Sequence, residues 1–535
     1  MKKINSKLFL LVYPMLLLLG LGMVSCKEDD EELGGMRMFQ PGGEISSSSG
    51  ESSVTLTWET PANTVAGTTT YTVEIAKDTL FQTPVILTAQ TDTATITFTE
   101  EQLTIKELYY ARVKTNARED GREESKWLTS SRFSIRGAQL FVNNPVNSED
   151  LTDRGVRLKF ISRTELTRVV LTPLGGGTPI VVNLTPANLS SGTILVDNLA
   201  SGTTYIAEIF AGTKSRGTTT LRTKDPLAGI LVDLRGFTNR PSVLQDTLTQ
   251  IPNGSTVILR RGMTYTIASE VNLDKSVTIT SGTDLTEPEL ASIYFTSNFN
   301  IAAGSNIDRV TFRDVILTGS DATAKYVFNI NKASTIKAMT FENVRAGKFR
   351  GLVRTQASPV IINNFTVNNS VLDSLGSYGV LTVDVATSQV QNIIISNSTI
   401  YKAEKVIVSR NNSTSVLIEN VTVNEAPASG GYLVDYSTTG TNSVTNGIKI
   451  RNSILGIGKA GSQTIRGIRV NSASLVEVSG TYATSDHVES ANPLPSLSTY
   501  NGTSLTLWQD PKNGDFHFKD GNFAGKATAG DPRWR

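Results

Sequence analysis

Between Val310 and Gly456 one phrase recurs: alternating apolar positions, an Asp or Asn, then a second apolar run. Its copies read "VTFRDVILTG", "MTFENVRAG", "FTVNNSVLD", "IIISNSTIY", "VLIENVTVN" and "IKIRNSILG". Alignment puts Asp314, Asn343, Asn369, Asn397, Asn420 and Asn452 in one column, with separations of 29, 26, 28, 23 and 32 residues. A fixed phrase at variable spacing predicts a solenoid whose turns tolerate loops of different length. Each strand then pairs with its own copies in the coils above and below. Asn suits the corner because it tolerates a left-handed backbone, and its amide can bond the amide of the next coil. Phe312, Phe341, Val367, Ile395, Ile418 and Ile450 flank the corner and are predicted to point inward and stack. The competing arrangement is a large two-sheet sandwich.

A further strand is expected in each coil, at "YVFNINK", "GLVRTQ", "VLTVDV", "VIVSRN", "YLVDYS" and "GIRVNS". Alternation sends a mainly apolar set inward: Phe328 and Ile330, Val353 and Thr355, Leu381 and Val383, Ile407 and Ser409, Val434 and Tyr436, Ile468 and Val470. The outward set forms two columns. One runs Asn329, Arg354, Thr382, Val408, Asp435, Arg469; the other runs Asn331, Gln356, Asp384, Arg410, Ser437, Asn471. With coils about 4.8 Å apart, Arg354, Asp384, Arg410, Asp435 and Arg469 share one exposed face within about 20–25 Å, the length of several sugar rings. Two readings stand: a solvated face of weakly stabilising ion pairs, or a ligand surface.

Upstream the period is shorter. In residues 43–136 "SVTLTW" puts Val54, Leu56 and Trp58 on one face, and "YTVEIAKD" does the same for Tyr71, Val73 and Ile75. "ELYYARVKTNA" sends Tyr109, Ala111 and Val113 one way and Leu108, Tyr110, Arg112 and Lys114 the other. About seven such runs fit an Ig-like sandwich. Residues 137–224 make a second unit, with Val156, Leu158 and Phe160 alternating and Gly175, Gly176 and Gly177 forming a turn. Residues 225–490 hold the solenoid. They open on a short helix capped by Ser242, with Val243, Leu244, Leu248 and Ile251 as its apolar stripe. Residues 491–535 depart from the repeat. They concentrate Trp508, Phe516, Phe518, Phe523 and Trp534, and read as a cap sealing the last coil.

Composition agrees with an all-β globular chain: of 535 residues, 39% are hydrophobic and 19% charged. The net charge of +1 gives no reason to expect nucleic acid as a partner. Its distribution says more: residues 301–470 hold 17 Lys and Arg against 10 Asp and Glu. A basic excess on such a surface suits an acidic polysaccharide, since a guanidinium meets a carboxylate with two parallel hydrogen bonds.

The N-terminus reads as targeting rather than structure. "MKKINSK" is a basic region and "LFLLVYPMLLLLGLG" is apolar; "MVSC" then brings Cys26, the one cysteine, which excludes an internal disulfide. Five acids, Glu28 to Glu32, follow in a solvated tether over residues 26–42.

Several of these features resemble known families. Residues 1–25 resemble a bacterial lipoprotein signal peptide, which implies lipidation of Cys26. A lone thiol and an uncleaved anchor are the other readings. The acidic run resembles the surface-export signal of glycan-foraging Gram-negative bacteria; otherwise it is a plain linker. The early Trp58 with "LYYARV", and "LASGTTYIAEIF" with Leu199 and Tyr205, resemble fibronectin type III domains. The short helix, "NGSTVIL" and "GMTYTI" resemble the start of a pectate-lyase-like right-handed parallel β-helix. "NGDFHF" and "GDPRW" resemble the end of β-helix lipoproteins from glycan-utilisation loci, which bring no established catalytic residues to transfer. Together these imply an outer-membrane, lipid-anchored protein facing the cell exterior. Its partners would be a polysaccharide and other glycan-uptake proteins.

The favoured expectation is therefore a surface lipoprotein that binds, and in one reading processes, an acidic pectin-like glycan through Arg354, Asp384, Arg410, Asp435 and Arg469. A divergent lyase is the enzymatic alternative, with Arg410 as the candidate base; a noncatalytic stalk is the third. Only the lyase would call for Ca²⁺, and the Arg neighbours of Asp384 and Asp435 make a poor Ca²⁺ site. No other cofactor is expected. A hydrolase would need paired carboxylates, which the repeat lacks. His487 and His517 show no metal spacing, and Trp508 is expected in the core, with sugar stacking as its other role.

Overall fold

The computed structural model describes residues 36–535 apart from 63, 65, 66, 83, 437–441, 460–463 and 473. Cys26, most of the acidic tether and Ser437 lie outside the described residues. The fold is all-β and falls into two compact units. Among the described residues no helix is long and apolar enough to cross a membrane.

The first unit is built on a seven-strand sandwich. One sheet pairs Gly42–Ser49, Ser53–Glu59 and Thr95–Thr99; the other orders Leu87–Thr91, Tyr71–Ala76, Tyr110–Thr115 and Leu128–Thr129. The alternation predicted for Val54, Leu56, Trp58, Tyr71, Val73 and Ile75 holds, and all six are buried. Trp58 meets Tyr71 edge-on at 5.4 Å. The Tyr109 hydroxyl accepts from the Thr104 amide at 3.0 Å, the tyrosine corner of Ig-like and fibronectin-like sandwiches.

A smaller sandwich follows. One sheet orders Ile180–Asn183, Arg168–Pro173, Thr204–Ala211 and Lys214–Arg222; the other pairs Thr193–Val196 with Val156–Lys159. Val156, Leu158 and Phe160 are buried as expected. A second tyrosine corner appears, the Ala200 amide donating to the Tyr205 hydroxyl at 3.0 Å.

The second unit contains the solenoid, about nine turns of parallel strands from Leu231–Asp233 to Ser498–Tyr500. Val243, Leu244 and Leu248 bury the short helix Val243–Leu248 at its start. Ser242 differs from expectation: its backbone is already helical, so its hydroxyl cannot reach the first-turn amides and instead donates to Asp246 at 3.0 Å.

The repeated phrase stacks in register, through Phe312, Phe341, Val367, Ile395, Ile418 and Ile450 on successive coils. All six are at most 2% exposed, and the rings of Phe312 and Phe341 stack at 5.6 Å. Every aligned corner residue from Asp314 to Asn452 is left-handed, with φ between 46° and 55°. The Asn343 amide donates to Asp314 at 2.6 Å and the Asn420 amide to Asn397 at 3.1 Å. The next corner is Gly480 at φ 58°, where a Cβ would lie 2.4 Å from the Asn452 carbonyl oxygen Oδ1. Each coil has three strand columns: the phrase, a column directly after the corner, and the charged column.

The C-terminal segment lies along the flank of the column after the corner. Its core is Leu507, Trp508, Phe516, Phe523 and Ala529, packed on Ile454, Tyr401 and Tyr482. Its last residues act as a strap. The Gly530 amide donates to Asn452 O at 2.8 Å, and the Thr399 hydroxyl donates to Asp531 at 2.8 Å. The Trp534 indole donates to Thr399 at 2.7 Å, and Arg533 to the Asn369 carbonyl at 2.7 Å. The expected cap therefore binds coils together sideways. The cause is the outward set Thr399, Thr422, Ile454 and Tyr482, whose hydroxyls and apolar surface offer it a seat.

Candidate functional site

The charged column assembles as the alternation places it. Asn329, Arg354, Thr382, Val408, Asp435 and Arg469 are register partners on successive coils. Asp384 and Arg410 follow two residues along their strands, their amides bonding the coil before at 2.9 and 3.0 Å. Arg354, Asp384, Arg410, Asp435 and Arg469 thus share one flank. The inward partners Phe328, Val353, Leu381, Ile407 and Val434 are fully buried behind them and fix the strand.

The five are linked across coils. Arg354 donates to Asp384 through Nη2 at 2.5 Å and Nε at 3.1 Å, and Arg410 approaches the other carboxylate oxygen at 3.4 Å. Arg469 grips Asp435 with two parallel bonds of 2.7 Å. The hydrogen bond to Asp435 holds the Arg469 guanidinium above its ordinary pKa. Arg410 is the most open of the five, its side chain 57% exposed.

Sequence reasoning missed the aromatic half of this surface. Tyr378 lies under the Arg354 guanidinium at 3.9 Å, with Arg350 at 4.8 Å and the Lys405 ammonium at 5.6 Å from its ring. Tyr326 packs beside it at 5.6 Å, and burial raises its hydroxyl pKa. Farther along, Tyr432 carries Arg469 at 4.5 Å and Arg466 at 5.2 Å. Lys405, Tyr432, Asp435, Arg466 and Arg469 line a groove of about 330 Å³. Among the described residues, Arg350, Lys405 and Arg466 have no carboxylate in ion-pair reach. Strict alternation hides these residues because it fails at the strand starts. Leu352 with Val353, Val380 with Leu381, Val406 with Ile407 and Leu433 with Val434 are consecutive buried pairs. Lys405 and Tyr432 reach the surface just before two of these pairs, and Arg350 and Tyr378 do so one residue earlier, ahead of the buried Gly351 and Gly379. The doubled apolar letters in "GLV", "GVL", "KVI" and "YLV" were the available signal.

The other candidates are placed plainly. Trp508 is fully buried against Phe516 at 5.1 Å, so it is core and offers no face to a sugar. His487 is buried between the Gly456 carbonyl at 2.9 Å and Glu489 at 3.3 Å. His517 is exposed, bonded to Asp515 at 2.6 Å. No three of His, Cys, Asp and Glu gather into a metal site among the described residues.

Residues 263–403 match a domain of unknown function (DUF4957), and residues 393–534 match another domain of unknown function (DUF5123). The second match covers the later coils and the strap that grips them. Three solved structures are similar to the chain in part. A two-domain fibronectin type III segment of chicken tenascin is 18% identical, covering 34% of this chain and 99% of that one, with a TM-score of 0.18. The FN1–FN3 domains of chicken CNTN1 are 12% identical, covering 35% and 66%, with a TM-score of 0.15. The chicken interferon gamma receptor alpha chain is 16% identical, covering 35% and 98%, with a TM-score of 0.16. No curated protein matches the chain.

Proposed function

We propose that this chain is a lipid-anchored surface protein that holds an acidic polysaccharide along the charged flank of its solenoid. One observation carries the reading: cations on that flank outnumber carboxylates, and tyrosine rings lie among them. Arg350, Lys405 and Arg466 lack carboxylate partners, and Arg410 shares Asp384 with Arg354. A uronate chain supplies carboxylates for the guanidinium groups and apolar ring faces for Tyr378 and Tyr432. The reading is one of binding. Arg410 stands as an ion-pair partner, its exposed guanidinium 3.4 Å from the Asp384 carboxylate, which is the geometry of a carboxylate binder.

The test is electrophoresis through gels containing polygalacturonate. The chain is expected to be retarded, and the triple substitution Lys405→Glu, Arg410→Glu, Arg466→Glu to weaken binding by about tenfold or more, ~1.4 kcal/mol. Unchanged retardation of a folded triple variant would rule the flank out as the site. Ultraviolet absorbance of unsaturated uronates, followed in parallel, is expected to stay flat; steady growth would make the protein a lyase.

A further inference from the structure

We propose a second ligand site, independent of the charged flank, in the seam between the later coils and the C-terminal segment: a cavity shaped for one neutral sugar unit. The cavity measures about 550 Å³ and is lined by Asn424, Glu425, Ile457, Leu505, Pro511 and Lys512, with Lys402, Asp486 and Ser504 at its edges. That volume lies in the range of about 300–1,000 Å³ found for small-ligand clefts.

The polar groups of this cavity are unevenly used. Asn424 is 1% exposed, yet its Oδ1 has no hydrogen-bond partner. Its amide lies against Gly456, where a Cβ would come within 2.2 Å of Oδ1, so the chain keeps room for a carboxamide that it leaves unbonded. Buried carboxamides are normally satisfied. The neighbouring Glu425 is half-buried and has no ion-pair partner among the described residues. Asp486 is by contrast consumed: it accepts from the Ser504 amide and hydroxyl, each at 3.0 Å, and from the Thr484 hydroxyl at 2.6 Å. Lys402 is spent on the Lys512 carbonyl at 2.5 Å.

What remains is one carboxylate, one carboxamide and the Lys512 ammonium around the apolar surface of Ile457, Leu505 and Pro511. The remaining charges cancel, which disfavours an ionic ligand. Adjacent hydroxyls of a pyranose donate to Glu425, and its ring oxygen and a further hydroxyl oxygen accept from Lys512; rotation of the Asn424 side chain away from Gly456 brings the covered, unbonded Oδ1 to a third hydroxyl. The C–H face of the ring covers the apolar patch. Because the C-terminal segment forms one wall, a bound sugar also ties that segment to the coils.

Saturation-transfer NMR on the full chain tests this, with glucose, galactose, xylose and arabinose at millimolar concentration. Transfer to at least one sugar is expected. Glu425→Gln should weaken binding about tenfold, ~1.4 kcal/mol, and Leu505→Trp should abolish it by filling the mouth. Both positions are solvent-accessible, and an unchanged melting temperature confirms the fold. The pair Lys405→Glu, Arg466→Glu should leave the signal intact. The proposal is overturned by no transfer to any of the four sugars, by transfer that survives both cavity variants, or by transfer lost only in the flank variant.

Discussion

Six corner residues sit in a left-handed conformation that costs most side chains roughly 1–2 kcal/mol, and Asn is the side chain that offsets this with a bond to the next coil. The ladder is not uniform. Asn397 donates to Asn368 at 2.9 Å, one residue short of the column, while Asn369 Oδ1 accepts from Arg533 at 3.0 Å. Asn343 therefore separates the two roles. Asn343→Ala adds backbone strain and removes the bond to Asp314, for about 2–3 kcal/mol. Asn343→Gly removes only the hydrogen bonds, that to Asp314 and the longer one accepted from Asn369 at 3.4 Å, and should cost about 1 kcal/mol. Denaturant midpoints in the order wild type, Gly, Ala check this; equal losses for Gly and Ala would show that the φ angle is not the strained quantity.

Elements are held by charges of opposite pH response, one set part-buried and one fully buried. In the second unit Arg235 pairs with Asp153 at 3.2 Å and Asp233 at 2.9 Å, and Thr283 donates to Asp153 at 2.6 Å. Burial is the largest single influence and would raise both carboxyls, but the hydrogen bonds and charge of Arg235, together with the other hydrogen bonds they accept, outweigh it and hold them below the usual range. Folded values below the unfolded ones mean stabilisation at neutral pH that is lost on acidification below about 3.9. Amide exchange around residues 282–287 should therefore accelerate at pH near 3 by that criterion. Asp531 in the strap goes the other way: burial raises its carboxyl despite bonds from Arg533 and Thr399. Its contribution is full below the unfolded value and falls as pH rises through the folded one. Asp531→Asn should remove that pH dependence from protease resistance of the C-terminal segment; persistence would point to another group. These elements also show what the sequence made legible. The phrase around Asn343 and Asn369, repeated in register, reveals the stack and puts Arg354 and Asp384 on one flank. The strap was legible as aromatic density but not in its placement, because Thr399 and Trp534 are 135 positions apart. Tyr378 and Tyr432 stayed hidden because buried pairs at the strand starts break the period of two.

At the scale of the whole molecule, binding to the charged flank should be ionic in character. Raising salt from low to molar concentration shortens the Debye length from about 30 to about 3 Å, so gel retardation should fall steeply with salt while a neutral sugar in the seam stays bound. The proposed lipid anchor is a separate matter and rests on the leader sequence. Cys26→Ser should abolish incorporation of a labelled fatty acid; continued labelling would place the anchor elsewhere.

The equivalence of the corners makes length a quantised property of this protein. Excising residues 343–368 would join Glu342 to Asn369, restore an Asn after the same strand phrase, and leave the flanking coils to stack on each other. A shorter tower with its two ends intact is the expected product, whereas a cut one residue longer or shorter would turn the joined strand's inward side chains outward. Duplicated or lost whole turns are thus the natural currency by which such a chain can change its reach.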